Sequence, residues 1–516
     1  MGETAARTNE RARVAELEVR NAALASQVQE LTRQLEWFKR QLFGRKSEKR
    51  LEIDPAVQPL LDGLVDAEQT AAPPPLPTET ITYERRKKQR DAGCVTDEGL
   101  RFDASVPVET ITLPVPSEVG AHEVIGEDVT YRLAQRPGSY VVLKYVRPVV
   151  KRQADGKVCS WPAPATLWAG SVADVSVVAG VLVDKFCHHL PLYRQHQRLA
   201  MSGVQIARAT LTTWVHRAAA LLAPIHAAQL RHILCSKTLA MDETPIKAGR
   251  DVHKGVMKRG WYWPLYGEDD EVAFTFAESR ARRHVDAVLA DFNGTLLSDG
   301  AAAYASFARV RPELVHAQCW SHTRRMFVKA ETDEPQAVAE ALALIGQLYV
   351  VESEIRERRL DREATLAYRT AHALAAVDAF FAWVEAQCRR LTLLPSSRLA
   401  RALTYARERE GALRVYLGDP TVQIDTNHLE RALRPIPMGR KAWMFCWTEV
   451  GAEWVGVVQS LVTTCRLHGI NPYTYLVDVL QRVAIHPDKA IEELTPRRWK
   501  DLFADNPLRS DLYFAT

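Results

Sequence analysis

The chain has 516 residues, long enough for about three to five domains, each with its own core. Hydrophobic residues make up 47% and charged residues 25%, proportions that exclude a collagen-like, wholly disordered or disulfide-miniprotein chain. Lys and Arg exceed Asp and Glu by 67 to 63, and a net charge of +4 is too small to name a nucleic-acid partner, so the placing of the positives matters more than their sum.

No apolar run is long enough to span a membrane, and the opening stretch is polar and of mixed charge, unlike a secretory signal. A soluble, cytoplasmic protein is expected. The cysteines stand at 94, 159, 187, 235, 319, 388, 446 and 465, with no CxxC pair, which disfavours a cysteine-rich zinc module or a disulfide framework.

In chain order, residues 14–42 carry a heptad pattern. Val14, Asn21, Val28, Leu35 and Leu42 fall at a positions, and Leu17, Leu24, Leu31 and Phe38 at d positions. A 3.5-residue apolar stripe predicts a coiled coil over residues 1–50, with Asn21 favouring a parallel, in-register dimer. A helix packed on its own chain would read similarly. Residues 51–100 read as a Pro-rich linker ending in the basic run Arg85, Arg86, Lys87, Lys88 and Arg90, which suits phosphate contact or a solvated tail.

Residues 101–165 alternate in the manner of strands between Pro and Gly punctuation and predict a small β module. Residues 166–235 read as helical. PLYRQHQRLAM, a turn at Ser202-Gly203 and ARATLTTWVHRAA fit a helix-turn-helix or an ordinary helical hairpin. The second helix is expected to begin near Arg208, with Thr210, Thr212 and Thr213 in its first turns, residue types that suit phosphate and base-edge contact.

Over residues 236–445 the order is β-β-β-α-β-α-β, that of a ribonuclease-H-like core, carrying a helical insertion at about 330–415. Residues 446–516 read as C-terminal helices. The whole is a multidomain α+β chain. Asp242 ends the first core strand and Asp299 the fourth, and in this topology those ends adjoin. Carboxylates held that close repel unless a cation lies between them, and Mg2+ (or Mn2+) takes few protein carboxylates. A third acid would complete a site for two ions. Glu430 is the candidate, although its spacing from Asn427 also fits a capping box, and Asp425 is a rival. Glu243 reads as a neighbour rather than a ligand, because successive residues on a strand point apart.

The chain resembles the DDE transposases of the insertion-sequence-66 family over nearly its whole length. The residues that carry the resemblance are LFGRKSEK (42–49), IGEDVTYRL (125–133), HLPLYRQHQRLAMSG (189–203), MDETP (241–245), SDGAAAY (298–304), CWSHTRRMF (319–327), DTNHLERALRPIPMGRKAWMF (425–445) and LHGINPYTYLVDVL (467–480). It implies that Asp242, Asp299 and Glu430 form the catalytic, metal-holding triad. It also implies an order of zipper, zinc-binding module, helix-turn-helix, catalytic core and C-terminal helices, with element-encoded accessory proteins as partners. Two departures stand out. The stretches LPVPSEVGAHEVIGED and RPVVKRQADGKVC lack the family's two cysteine pairs, so no structural zinc is expected. Cys446-Trp447 stand where the family tends to have small residues.

Several side chains have two readings each. Cys319 and His322 share a metal-like spacing but make only half a site, so packing is the stronger reading, as it is for Cys187, His188 and His189. Trp320 could stack on an unpaired base or lie in the core. Arg324, Arg325, Arg431, Arg434, Arg440 and Lys441 cluster in sequence beside the acids and could hold DNA phosphates. The expectation is a DNA transposase that binds its element's terminal inverted repeats as a homo-oligomer, at least a dimer through residues 14–42, near the bacterial nucleoid. It would cleave and join strands with Mg2+. The alternatives are a transposase-derived, non-catalytic DNA-binding protein and a ribonuclease-H-like nuclease or resolvase that cleaves without joining.

Overall fold

The computed structural model describes residues 100–513, apart from 103–105, 116–120, 137, 161–162, 252–254, 391–392, 444–445 and 447. The heptads, the linker, the basic run at 85–90 and Trp447 lie outside the described residues.

The alternating sequence from 122 onward folds as one long hairpin. β3 (His122–Arg136) and β4 (Ser139–Arg152) pair antiparallel to their ends, Arg136 facing Ser139. Gly138 closes the turn at φ +84°, a conformation costly for any residue with a Cβ. Before them come β1 (Arg101–Phe102) and β2 (Val108–Thr112). β2 runs parallel to β4, and β5 (Val158–Cys159) pairs with β4's far end. Leu143, Tyr145, Val141 and Ala134 pack under this sheet with Leu512 from the chain's far end, and Asp511 accepts the Tyr145 hydroxyl at 2.8 Å. The base of the module thus rests on apolar packing and on a C-terminal strap. Cys159 is partly exposed on β5.

Next come α1 (Val175–Phe186) and α2 (Leu192–Met201), the turn through Gly203, the short β6 (Val204–Gln205) paired with β1, and α3 (Arg208–Leu234). The second helix begins where its sequence indicates. It runs for 27 residues, well beyond the ARATLTTWVHRAA stretch that signals it, and it carries Pro224 inside. Its buried stripe explains this. Leu211, Trp214, Val215, Ala218, Leu222, Ile225, Gln229 and Ile233 recur every three or four residues, so burial offsets the hydrogen bond that proline removes. Gln229, fully buried, donates to the carbonyl of Val272 at 2.8 Å and to Thr464 at 2.9 Å, seating the far end of α3 on the next sheet.

That sheet contains β7 (Thr238–Met241), β8 (Thr244–Arg250), β9 (Met257–Tyr266), β10 (Val272–Ala277), β11 (Thr295–Ser298) and β12 (Val315–Gln318). Their order is β10-β9-β7-β11-β12, with β8 joined to β9 alone. β7, β11 and β12 run parallel, while β9 opposes both β7 and β10. α4 (Arg282–Val288) and α5 (Ala302–Arg309) cover one face over Trp263, Leu265 and Leu296.

The first core strand ends at the acids, as expected, but a further strand follows at once within TLAMDETPI. β7 stops at Met241 and β8 starts at Thr244. At the break, Asp242 Oδ1 accepts the amide of Glu243 at 2.7 Å and turns the chain out of the ladder.

α6 (Trp320–Val328) follows β12 and leads into the helical insertion: α7 (Pro335–Arg358), α8 (Arg362–His372), α9 (Leu374–Cys388), α10 (Arg398–Arg407) and α11 (Glu410–Gly418). Its core packs Phe380, Phe381 and Phe327 against Trp320 and Trp383, the rings meeting edge to face or tilted. α12 (Asn427–Leu433) and α13 (Pro435–Trp443) then return to the sheet. α14 (Glu449–Leu467) crosses β10, and α15 (Pro472–Arg482) and α16 (Pro496–Leu502) finish the fold. Among the described residues, no helix is long and apolar enough to cross a membrane.

Candidate active site

Register brings the acids together. Met241 and Ser298 are partners on adjacent parallel strands, so the next residue of each, Asp242 and Asp299, leaves the sheet at one place. Asp242, Glu243 and Asp299 each offer an oxygen, and these oxygens lie within 4.8 Å of one another. The expectation that Glu243 points away fails because the chain has already left the strand, where alternation no longer applies. Glu243 is held on both oxygens: Tyr304 donates its hydroxyl at 2.7 Å, and Arg280 forms an ion pair with the other.

Glu430 lies in the first turn of α12 and lines the same cleft, of about 460 Å3, with Asp242, Glu243, His322 and Arg325. Its capping reading is not realised. Asp425, buried and one residue ahead of the N-cap Thr426, instead accepts the first helical amide, that of Asn427, at 2.9 Å and its side-chain NH2 at 2.6 Å. This leaves the Glu430 carboxylate to Arg325 Nη2 at 3.4 Å and His322 Nε2 at 3.8 Å.

The electrostatics follow from that crowding. Burial, together with the carboxylates of Glu243, Asp299 and Glu430, pushes Asp242 up to about 7. Burial raises Glu243 as well, against the pull of Tyr304 and Arg280. Burial, then Arg325, holds His322 below the ordinary imidazole value. An oxygen-only set of mutually repelling carboxylates fits a hard divalent cation, which would relieve the repulsion.

The remaining predicted residues divide into groups. Arg325, Arg431 and Arg434 are exposed on the cleft wall. Arg324 is exposed on α6, and Lys441 is exposed on α13. Arg440 is partly buried and bonds the carbonyl of Pro245, so it braces the fold. Arg208, Thr210, Thr212 and Thr213 lie elsewhere, on the first turns of α3. Thr210 and Thr213 line a separate groove of about 710 Å3 with Gln205, Trp168 and Arg217. Thr212 and Thr213 donate to the helix's own carbonyls. Trp320 is fully buried and donates to Leu413's carbonyl at 2.9 Å, and the Cys319 sulfur accepts from Thr426. Both are packing residues. Cys446 is also buried and bridges to Ala248.

Residues 170–454 match a profile described as "Transposase IS66 family", and residues 460–497 match one described as "IS66 C-terminal element". Residues 30–111 match one described as "Transposase C of IS166 homeodomain". The uncharacterized protein y4jD of Sinorhizobium fredii is 30% identical over 500 residues, 92% of this chain and 96% of its own length. The uncharacterized protein y4hP of the same organism is 28% identical over 90% of this chain and 88% of its own. A chain of the Drosophila P element transposase strand transfer complex aligns with a TM-score of 0.28 and 10% identity, over 58% of this chain and 92% of that one. With a family profile matched over more than half its length and a relative 30% identical over nearly all of it, the chain belongs to the IS66 family of transposases.

Proposed function

We propose that this protein is an active DNA transposase whose Asp242, Asp299 and Glu430 hold divalent cations, Mg2+ or Mn2+. One observation carries the reading: the Met241–Ser298 register sets Asp242 and Asp299 side by side, and Asp242 lines one cleft with Glu430. The strand order, with its second strand antiparallel, supports a ribonuclease-H-like core. When bound, the cations would polarise a phosphodiester and activate the attacking oxygen.

The chain's own residues supply the rest. Glu243, fixed by Tyr304 and Arg280, adds a fourth carboxylate and cannot swing freely. Arg325 steadies Glu430 and, with Arg431 and Arg434, sets positive charge where a phosphate backbone would lie. The start of α3 would enter a groove of the element's terminal repeats, with Arg208, Thr210, Thr212 and Thr213 toward the DNA. Cleavage frees a 3′-hydroxyl, which attacks a target phosphodiester. One P–O bond forms as another breaks, and the target strand leaves as its own 3′-hydroxyl. We infer self-association through residues 14–42, with accessory proteins of the element as further partners, at the nucleoid.

The test is strand cleavage and joining on duplexes carrying the terminal repeats flanking the gene, with Mg2+. The protein should cut and join, and Asp242→Ala should abolish both. Equal cutting by Asp242→Ala would overturn the proposal, while cutting without joining would convert it to a nuclease.

A further inference from the structure

The hairpin of β8 and β9 leaves the sheet directly after the acids, and one of its faces holds an unneutralised cationic pair. Lys247 and Arg259 are register partners, so their side chains stand on the same face with Cβ atoms about 5 Å apart. Like charges placed directly opposite are destabilising. Both residues are exposed, and among the described residues neither meets a carboxylate within ion-pair reach. The other face differs: Lys258, one residue along, reaches Glu449 at 3.0 Å.

Two residues along the face, Trp261 stands opposite Pro245, and two guanidinium groups flank its ring, Arg259 at 5.3 Å and Arg280 at 5.5 Å. Arg280 in turn pairs with Glu243 in the acid cluster. A continuous track thus runs from Glu243 through Arg280 and Trp261 to Arg259 and Lys247. At strand rise, four residues from Glu243 to Lys247 span roughly 13 Å, about four base-pair steps of a duplex. The hairpin is braced rather than loose. Cys446 pairs with β8's outer edge through the amide of Gly249 at 3.2 Å and the carbonyl of Lys247 at 2.9 Å.

We propose that this face is a phosphate-backbone track: Lys247 and Arg259 contact duplex DNA a few base pairs from the phosphodiester at the acids, and Trp261 pre-orients the guanidinium groups. The inference rests on the DNA reading above. The duplex is either the element's end or the target, since both present the same phosphates.

The experiment uses the full chain with Lys247→Gln/Arg259→Gln, and separately Lys247→Glu, on two duplexes, one carrying the terminal repeat and one of random sequence, over a salt series. The double variant should bind more weakly, with the slope of log affinity against log salt reduced by roughly 1 to 2. The melting temperature should hold or rise, because a repulsive pair is relieved. A reduced slope on the repeat duplex assigns the track to the element's end, on the random duplex to the target, and on both to either. Unchanged affinity and slope for both variants on both duplexes overturns the track. Failure of the unaltered protein and of Asp242→Asn to bind either duplex would instead overturn the DNA reading itself, and the track with it.

Discussion

The hydroxyl of Tyr304 donates to Oε2 of Glu243 across 2.7 Å, from a side chain with no exposed surface. A buried tyrosine on α5 therefore aims a carboxylate that a strand alone would have sent elsewhere. Tyr304→Phe should cost about 1.5 kcal/mol, the net worth of one hydrogen bond to a charged group at its lower end. It should also loosen Glu243 and lift its pKa further, because the hydroxyl favours the charged form. Melting curves and Mn2+ titration calorimetry check this, and unchanged metal affinity would show that Glu243 takes no part in holding the ion.

Asp242 gives the fold a pH dependence of known sign. Its native value of about 7 stands above the ordinary 3.8, so between these values the native state keeps a proton that the unfolded chain has lost. Stability from this group falls as pH rises through that window and is flat above it. In EDTA, the melting temperature of the unaltered protein should decline relative to Asp242→Asn between about pH 4 and about pH 7. Mg2+ should restore it, more strongly at higher pH, because the cation displaces the proton. Parallel curves for the two proteins would refute the assignment.

Two acids five residues apart separate stability from activity. Asp425 accepts the first amide of α12, whereas Glu430 faces Arg325 and His322 across the cleft. Asp425→Ala should cost about 1 to 3 kcal/mol, since it leaves that amide without its partner. Glu430→Gln keeps shape and hydrogen bonding, so it should melt within about 0.5 kcal/mol of the parent while losing strand cleavage. The two proteins should exchange places between a thermal melt and a nicking assay. A cleavage-competent Glu430→Gln would leave Asp242, Glu243 and Asp299 as the working set.

What could be read from sequence followed from burial and periodicity. Asp242 and Asp299 stood out because acids at the ends of apolar strands need a partner, and the strand order then made them neighbours. Arg208 as the start of α3 followed from the turn at Gly203. The misses were tertiary. The break between β7 and β8 depends on Asp242 capturing the next amide, which leaves no periodic trace. Spacing alone left Glu430 between a capping role beside Asn427 and a place among the acids, and side-chain direction decides it: Asp425, not Glu430, takes the Asn427 amide. The length of α3, which runs through Pro224, rests on a stripe that buries against two cores and so overrides a local breaker.

The contact between α14 and β10 offers the last test, through two glycines with opposite expectations. A Cβ on Gly456 would lie 2.6 Å from the carbonyl oxygen of Phe274, a backbone atom that cannot step aside. One turn on, Ser460 accepts the amide of Phe274 at 2.8 Å, so helix and strand are held at that close approach. Gly456→Ala must push them apart and should cost about 1 to 3 kcal/mol, as overpacking does. Gly346, inside α7, meets nothing within 4 Å of its Cβ position. There Gly346→Ala removes only the entropic penalty of glycine in a helix and should gain about 0.5 to 1 kcal/mol. Denaturant titration of the two variants should give shifts of opposite sign. Because β10 pairs with β9, which carries the basic hairpin, Gly456→Ala should also weaken DNA binding in proportion to its strain. A stabilised Gly456→Ala would mean that α14 is not seated on the strand at this distance.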